Sequence, residues 1–166
     1  REVSADLKLG RAQDVSGTTI DTVPAVAVNG KNGVWCAWDS LDWDSQARAH
    51  HKRLLVCRRD LSVLRPPAPH ALTDAVTNVC TPTLVASPQG RLTLVWSEQA
   101  TAGGPWTLKR ADFDAGTSQW TGPQVLESKG DPRFPTAAYG QDGQLWVAYA
   151  CQTEKGRELV VKKPGG

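Results

Sequence analysis

The sequence predicts an all-β protein built from β-propeller blades, each of four antiparallel strands, with three blades in the chain. The first observation is a threefold internal repeat whose prolines are spaced 53 to 58 residues apart. The second is that the apolar runs in each repeat are short and nearly continuous, as expected for strands buried on both faces. The third is that Gly, Asn and Pro bound these runs, which favours strands over buried helices.

The repeat predicts the first two strands of each blade. Each copy starts at a proline and ends 14 residues later at an aromatic residue: Pro24 to Trp38, Pro82 to Trp96, and Pro135 to Tyr149. A glycine lies five or six residues before that aromatic residue (Gly33, Gly90 and Gly143) and predicts a tight turn between the two strands. A proline in the first position of a strand removes no hydrogen bond from the sheet. We expect the tryptophans inside these strands to be core residues, namely Trp35, Trp38, Trp96 and Trp146.

Outer strands follow each of these pairs. Third strands are predicted at residues 53–57, 106–110 and 158–162, and fourth strands at residues 65–72 and 120–126. Blade 3 stops before a fourth strand, whereas residues 3–9 form a spare strand at the start of the chain. The whole chain, residues 1–166, is thus one three-blade segment: blade 1 at 23–76, blade 2 at 77–130, and an incomplete blade 3 at 131–166. Residues 1–22 comprise an outer strand donated to another blade and the loop that leads into blade 1.

Three blades are too few to close a ring, because known propellers have about 4–8 blades. Two copies related by a two-fold axis would give a six-bladed ring in which each N-terminal strand completes the partner's third blade. The sequence therefore predicts a half-propeller that forms a homodimer. The alternative is that the blades were cut from a longer chain. The chain begins at Arg1 and contains no methionine, so we expect a processed product or an excised segment.

The composition argues against several classes of partner. A net charge of +2 over 166 residues gives no electrostatic footprint for nucleic acid. No apolar stretch approaches the ~20 residues that a membrane helix needs, and no signal peptide is recognised. We therefore expect neither a nucleic-acid partner nor a membrane partner, and we favour an extracellular or periplasmic location.

Four cysteines, Cys36, Cys57, Cys80 and Cys151, fit no CxxC metal pattern. One interpretation is that they are buried free thiols that act as small hydrophobic residues. The alternative is one or two disulfides. Cys36 and Cys57 would face each other on adjacent strands if Trp38 pairs with Leu55. Cys80 and Cys151 would share the loop-bearing face of neighbouring blades.

One strand pattern and one turn match those of a known family. The strand pattern of the repeats is similar to P-x-x-A…G-x-x-W-x-A-W, which recurs in many bacterial propellers, and residues 112–120 (DFDAGTSQW) lie between the predicted third and fourth strands of blade 2. In both respects the chain resembles the sialidase-like, BNR-repeat propellers, whose Asp box is S-x-D-x-G-x-T-W. Asp114, Gly116 and Trp120 match the box, whereas Asp112 replaces its serine and one extra residue precedes the tryptophan. The resemblance implies a propeller fold and a structural turn. It carries over no catalytic residue, because no motif marks an arginine triad, a Tyr–Glu nucleophile pair or an acid–base Asp.

The candidate binding site lies where the loops between second and third strands gather around the central channel of a propeller. Only blade 1 has a long excursion there, residues 39–52, which carries Trp43 between Asp42 and Asp44. An indole beside carboxylates suits a sugar, because the ring stacks on C–H groups while the carboxylates accept hydrogen bonds from hydroxyls. The loops that lead into the blades add further polar residues. The predicted ligand-binding residues are Trp43, Asp42, Asp44, Asp21, Asp131 and Arg133.

The sequence favours a non-enzymatic, lectin-like propeller that binds carbohydrate and forms by self-association of half-propellers. No catalytic residue, metal or cofactor is predicted, although Asp39, Asp42 and Asp44 could supply oxygens to Ca²⁺. A protein-interaction or assembly scaffold is one alternative. A fragment of a sialidase-like glycoside hydrolase is another, and it would need two carboxylates about 5–10 Å apart. The acidic residues that could form such a pair are Asp21, Asp42, Glu98 and Asp131.

Overall fold

The described part of the chain is made of β-strands and contains no helix, so no helix there is long enough to cross a membrane. The computed structural model describes residues 20–29, 33–45, 48–60, 67–74 and 78–163. In chain order the strands are β1 (Ile20–Asn29), β2 (Gly33–Asp44), β3 (Ala49–Asp60), β4 (His70–Ala71), β5 (Asn78–Ala86), β6 (Leu92–Gln99), β7 (Trp106–Asp114), β8 (Gln119–Trp120), β9 (Gln124–Glu127), β10 (Arg133–Tyr139), β11 (Leu145–Thr153) and β12 (Gly156–Lys162).

The strands form three antiparallel sheets, one for each sequence repeat. Sheet 1 has the order β1-β2-β3-β4, and sheet 3 has the order β10-β11-β12. Sheet 2 has the order β5-β6-β7, with two short strands, β8 and β9, that both pair with β7. The strands predicted in the repeats are therefore present, and the predicted fourth strand of repeat 2 is split in two. The predicted outer strand at residues 3–9 lies outside the described residues.

Tight turns join the first two strands of sheets 2 and 3. Gly90 and Gly143 have φ angles of 85° and 74°, which a residue with a side chain rarely adopts. Their backbone N–H groups donate to the carbonyls of Ser87 (2.9 Å) and Gly140 (3.0 Å). The glycine turns that the repeat predicts are thus present in these two sheets.

The first strand of each sheet (β1, β5 and β10) contains a β-bulge at the same place in the repeat. The register breaks after Thr22, Cys80 and Arg133, each two residues before the repeat proline. The residue immediately before the proline (Val23, Thr81 and Phe134) has a positive φ of 48° to 55°. Bulges bend a strand and redirect the neighbouring side chains. The three bulges place Thr22, Cys80 and Arg133 at equivalent positions, at the same end of the three sheets, which we call the bulge end.

The core forms two layers between the sheets. Residues of β2 and β3, such as Trp35 and Leu54, pack against Leu94 and Trp96 of sheet 2. The opposite face of sheet 2 packs against sheet 3, where Tyr149 is almost fully buried. Residues 92–98 of β6 are buried throughout, because both faces of this strand are covered. The continuous apolar run of that strand predicts this burial.

Sheets 1 and 3 each leave one apolar face uncovered within the described part of the chain. On sheet 1 this face includes Val26 and Val28, and on sheet 3 it includes Leu159 and Val161, all well exposed. Trp146 lies on the same face of sheet 3 and is 41% exposed, so the prediction that it is a core residue is wrong. Side chains alternate along a strand, and its neighbours in β11 point toward sheet 2, which directs Trp146 away from it.

Candidate functional site

Residues 39–44 and 49–52 belong to the two paired strands of a hairpin, and the prediction of a long excursion over residues 39–52 is wrong. β2 continues to Asp44 and β3 begins at Ala49, so that only residues 45–48 connect the two strands. Two ion pairs explain why so polar a segment stays in the sheet. The Lys52 ammonium lies 2.6 Å from Asp39, and the Arg53 guanidinium lies 2.5 Å from Asp42. Opposite charges on adjacent strands stabilise the pairing.

Trp43 lies near the tip of this hairpin and is 57% exposed. Its ring centroid is 4.8 Å from that of His50, which is its cross-strand partner. Core packing therefore does not account for this tryptophan. Successive side chains of a strand point to opposite faces, so Asp42 is directed away from Trp43. The side chain of Asp44 lies outside the described part of the chain.

The remaining predicted residues lie at the bulge end of different sheets. Asp21 belongs to sheet 1, whereas Arg133 begins β10 of sheet 3 and Asp131 lies just before it. Asp21 pairs with Ser40 and shares a face with Asp42, the face of sheet 1 that points away from sheet 2. Asp39 points the other way, toward sheet 2. The carboxylates of Asp39 and Asp42 are thus not brought together, which removes the geometry on which the calcium alternative rests. No group of three potential metal-ligating side chains occurs among residues that the structure describes.

Asp131 and Arg133 form an ion pair at the junction of sheets 2 and 3. Arg133 Nη2 lies 2.7 Å from Asp131 Oδ2, and the guanidinium is stacked 4.9 Å from the ring centroid of Trp106. The Trp106 backbone N–H donates to Asp131 Oδ1 (3.1 Å). The structure therefore brings these two predicted residues together. About a third of each side chain is exposed.

Asp39 is the residue that sequence reasoning undervalued. It is 1% exposed, and its Oδ2 atom accepts hydrogen bonds from Thr22 Oγ1 (2.9 Å) and Lys52 Nζ (2.6 Å). Its other oxygen, Oδ1, is buried without a hydrogen-bond partner among the described residues. One signal was available in the sequence. The residue after the closing aromatic is Ser97 in the second repeat and Ala150 in the third, so an aspartate there departs from the repeat.

Cys80 connects these groups at the bulge end. Burial raises the pKa of its thiol, and the charges of Lys52, Asp39 and Arg133 also act on it. Its strand β5 packs against β1 and β2 of sheet 1 and against β10 of sheet 3, so Cys80 lies between the two sheets that carry these charges. We call Thr22, Asp39, Lys52, Cys80, Asp131 and Arg133 the rim cluster. It contains two acidic and two basic side chains, so its formal charge is balanced.

A second buried carboxylate lies on sheet 2. Glu98 is 4% exposed and accepts hydrogen bonds from Trp96 Nε1 (3.0 Å) and Lys109 Nζ (2.5 Å). Both carboxylate oxygens therefore have partners. Sheets 1 and 2 thus share the combination of a buried acid and a partly exposed lysine. Of these two carboxylates, Asp39 is the one with an oxygen that accepts no hydrogen bond from the described residues.

Comparisons with solved structures identify the fold. An endo-arabinase from Bacteroides thetaiotaomicron matches with a TM-score of 0.58 and 15% identity, over 87% of this chain and 56% of that one. Hadza microbial sialidase Hz136 matches with a TM-score of 0.59 and 11% identity, over 87% of this chain and 31% of that one. Zg3597, a family 117 glycoside hydrolase of Zobellia galactanivorans, matches with a TM-score of 0.54 and 12% identity, over 95% of this chain and 56% of that one.

These solved structures are β-propellers. The fold of the chain is that of a β-propeller. No protein-family model matches the sequence, and no curated protein sequence matches it. The chain spans about half the length of two of these propellers and about a third of the sialidase. The rim cluster lies at the end of the three sheets where their first strands, β1, β5 and β10, carry the bulges.

Proposed function

We propose that this chain is the carbohydrate-binding part of a β-propeller and that the rim cluster is its sugar site. The observation that carries the proposal is the buried Asp39 carboxylate. Burial of a charged group is unfavourable, more so when one of its oxygens has no partner. Unsatisfied buried groups are rare in folded proteins, and each one requires an explanation, of which a functional role is one. We infer that Asp39 is a positioning residue that holds the Lys52 ammonium and the Thr22 hydroxyl toward a ligand.

The composition of the rim cluster suits a neutral sugar. Thr22 is exposed and Lys52, Asp131 and Arg133 are each about a third exposed, so hydroxyl, ammonium, carboxylate and guanidinium groups all face solvent. Two acids balanced by two bases would not favour a strongly charged ligand, whereas sugar hydroxyls both donate and accept hydrogen bonds. The names of the matched propellers, an endo-arabinase, a sialidase and a glycoside hydrolase, support a carbohydrate ligand.

Trp43 extends this site toward the tip of the hairpin. It lies four residues beyond Asp39 on the same strand, so both side chains point to the same face of β2. At about 3.3 Å per residue the two positions are about 13 Å apart. This separation suits an oligosaccharide, with one sugar ring stacked on the indole and another at the rim cluster, better than a monosaccharide.

A glycan array tests this proposal. The unmodified protein should bind neutral oligosaccharides and leave monosaccharides unbound. Trp43→Ala should weaken that binding at least tenfold while the melting temperature stays within about 2 °C, because the indole is exposed. Val125→Ala is the matched control, since Val125 is equally exposed but lies on the outer strand β9. Unchanged binding by Trp43→Ala would remove the tryptophan from the site.

A glycoside hydrolase segment is the second candidate function. Two observations favour it. Two carboxylates, Asp39 and Glu98, are buried on neighbouring sheets. The matched propellers include an endo-arabinase and a glycoside hydrolase, which are named for hydrolytic activity. Against it, each carboxylate is paired with a lysine, and neither is open to solvent. Release of a chromogenic phenol from aryl glycosides would establish hydrolysis. Sugar binding without release supports the binding module, and the absence of both would favour a protein-interaction scaffold.

We also propose that the ring is closed by a second copy of the chain. Two observations support this part of the proposal. The outer blades present uncovered apolar faces, which folded proteins normally bury. Two of the matched propellers are about twice as long as the segment that this chain matches. Three blades from each copy would give a six-bladed homodimer. The rival arrangement, in which the missing blades belong to a longer chain, gives a monomer that exposes these faces.

A further inference from the structure

We propose that Cys36 and Cys57 form a thiol–disulfide site that reacts with small disulfides, with Cys36 as the attacking thiol and Cys57 as the resolving thiol. The two residues are directly opposite each other in the β2–β3 pair, because Trp38 pairs with Leu55. All four cysteines are free in the structure, so neither predicted bridge is formed there.

The register places this pair within reach of a disulfide. Directly opposed residues of antiparallel strands have Cα atoms about 4.5 or 5.5 Å apart. Disulfides join residues whose Cα atoms are about 4.4–6.8 Å apart, so either kind of pairing is compatible with a bridge. The side chains of opposed residues also point to the same face of the sheet. Bond formation therefore needs only side-chain rotation.

The surroundings distinguish the two sulfurs. Cys57 is 4% exposed, whereas Cys36 is partly exposed and lines a cavity of about 300 Å³ with Pro24, Val26 and Trp38. Cys36 is therefore the more accessible of the two sulfurs, whereas Cys57 borders a separate cavity of about 500 Å³. A hydrogen bond with Cys57 lowers the pKa of the Cys36 thiol to about 7, against the opposing effect of burial. The same contact and burial raise the pKa of Cys57. The thiolate, which is the nucleophile, therefore forms on the accessible sulfur.

The reaction is a two-step exchange. The Cys36 thiolate attacks one sulfur of the small disulfide, the S–S bond breaks, and one small thiolate leaves and takes up a proton. Cys57 then loses its proton and attacks the Cys36 sulfur, which expels the second small thiolate. Two protein thiols are oxidised to one disulfide, and the small disulfide is reduced to two thiols.

The other two cysteines do not form a comparable pair. Cys80 lies on β5 of sheet 2 and Cys151 on β11 of sheet 3. The Cys151 thiol donates to the carbonyl of Lys129 (3.6 Å). Both sulfurs are free, so the predicted Cys80–Cys151 bridge is not formed in the structure. These two residues supply an internal control for selectivity.

Incubation of the folded protein with oxidised glutathione, followed by peptide mapping without reduction, tests the proposal. We expect a single bridge that links Cys36 to Cys57, with Cys80 and Cys151 still free, and a rise in melting temperature of roughly 5 °C. Cys57→Ser should stop at the mixed disulfide on Cys36, and Cys36→Ser should leave Cys57 unmodified. Cys80→Ser combined with Cys151→Ser should react like the unmodified protein.

Two results would overturn the proposal. One is a map with four free thiols after prolonged incubation, and the other is a first adduct on Cys57, Cys80 or Cys151. Because the map is made on the unmodified protein, the test does not depend on whether a serine variant folds. It also does not depend on sugar binding. Ring closure would cover this face of sheet 1 and slow the reaction at high protein concentration, without changing which two cysteines are joined.

Discussion

Single side chains carry the function proposed for this chain, and Asp39 is the central one. Its position was hard to recognise because its burial depends on Lys52, 13 residues away on the next strand, and on the cover that sheet 2 provides. Asp131 and Arg133 were predicted from the loop that leads into the third repeat, and the structure pairs their side chains, whereas their role in binding stays a prediction. Trp43 was singled out correctly as a tryptophan outside the core, but the strand separates it from Asp42.

Loss of Lys52 should destabilise the fold more than loss of an ordinary surface lysine. Lys52→Met would leave the buried Asp39 carboxylate with Thr22 as its remaining partner, at a cost of about 2 kcal/mol or more in the free energy of unfolding. Lys155→Met, at an exposed turn position, is the matched control and should change that free energy by less than about 0.5 kcal/mol. Urea denaturation of both variants measures the difference, and equal values would contradict a structural role for the ion pair.

Glu127 should make stability depend on pH in acid solution. A hydrogen bond from Lys162, and then one from the Lys129 backbone N–H, lowers the pKa of Glu127 from 4.5 to about 2. Because the folded-state pKa is the lower one, the contribution is complete above pH 4.5 and is lost as the pH falls toward 2. Melting temperatures between pH 6 and pH 2 should fall less steeply for Glu127→Gln than for the unmodified protein. Parallel curves would show that Glu127 has its ordinary pKa in the folded state.

At the scale of elements, the strands were predictable because their apolar runs, prolines and glycines repeat in step. The position of Cys36 directly opposite Cys57 on the next strand followed from that register and is confirmed. Residues 39–52 were misjudged as a loop because they are rich in Asp, Ser, Arg and His, and sequence alone does not show that these charges pair across two strands. The split of the fourth strand of sheet 2 falls at residues 121–123, where Pro123 has no backbone N–H to donate to a sheet.

The glycine turn between β10 and β11 provides a test at this scale. Gly143 has a φ of +74°, where a side chain is strained, so Gly143→Ala should lower the free energy of unfolding by about 1 kcal/mol or more. Gly122→Ala is the matched control, because no atom lies within 4 Å of a Cβ added there and no positive φ opposes it. A similar effect of the two substitutions, measured by thermal unfolding, would contradict the turn described here.

At the scale of the whole molecule, three antiparallel sheets pack in sequence order, and each outer sheet has an apolar end face that is uncovered among the described residues. The threefold repeat predicted these sheets, and the likeness to solved propellers supports the fold. Closure of a ring by a second copy stays a prediction, because interactions between end faces leave no periodic signal in the sequence. Nor could the exposure of Trp146 be predicted, since its strand resembles the buried strands of the other repeats.

Closure of the ring by a second copy predicts a particle of about 36 kDa, twice the 17.9 kDa of one chain. Replacing Leu159 and Val161 by glutamate should convert it to monomers, because charges on an end face oppose its burial. Ala102→Glu, at the exposed turn between β6 and β7, should leave the mass unchanged. Sedimentation velocity at several concentrations gives these masses. A stable monomer of the unmodified protein at micromolar concentration would refute self-closure.

The central claim is that Asp39 organises a sugar site, and calorimetric titration of Asp39→Asn with an oligosaccharide selected on the array tests it most directly. The variant keeps the size of the side chain but weakens its hold on Lys52 and Thr22, so affinity should fall about tenfold to a hundredfold. Asp142→Asn, an exposed carboxylate on the β10–β11 turn, is the control and should bind normally. Asp39→Asn should remain folded and bind the oligosaccharide weakly. Full affinity in that folded variant would contradict the role proposed for Asp39.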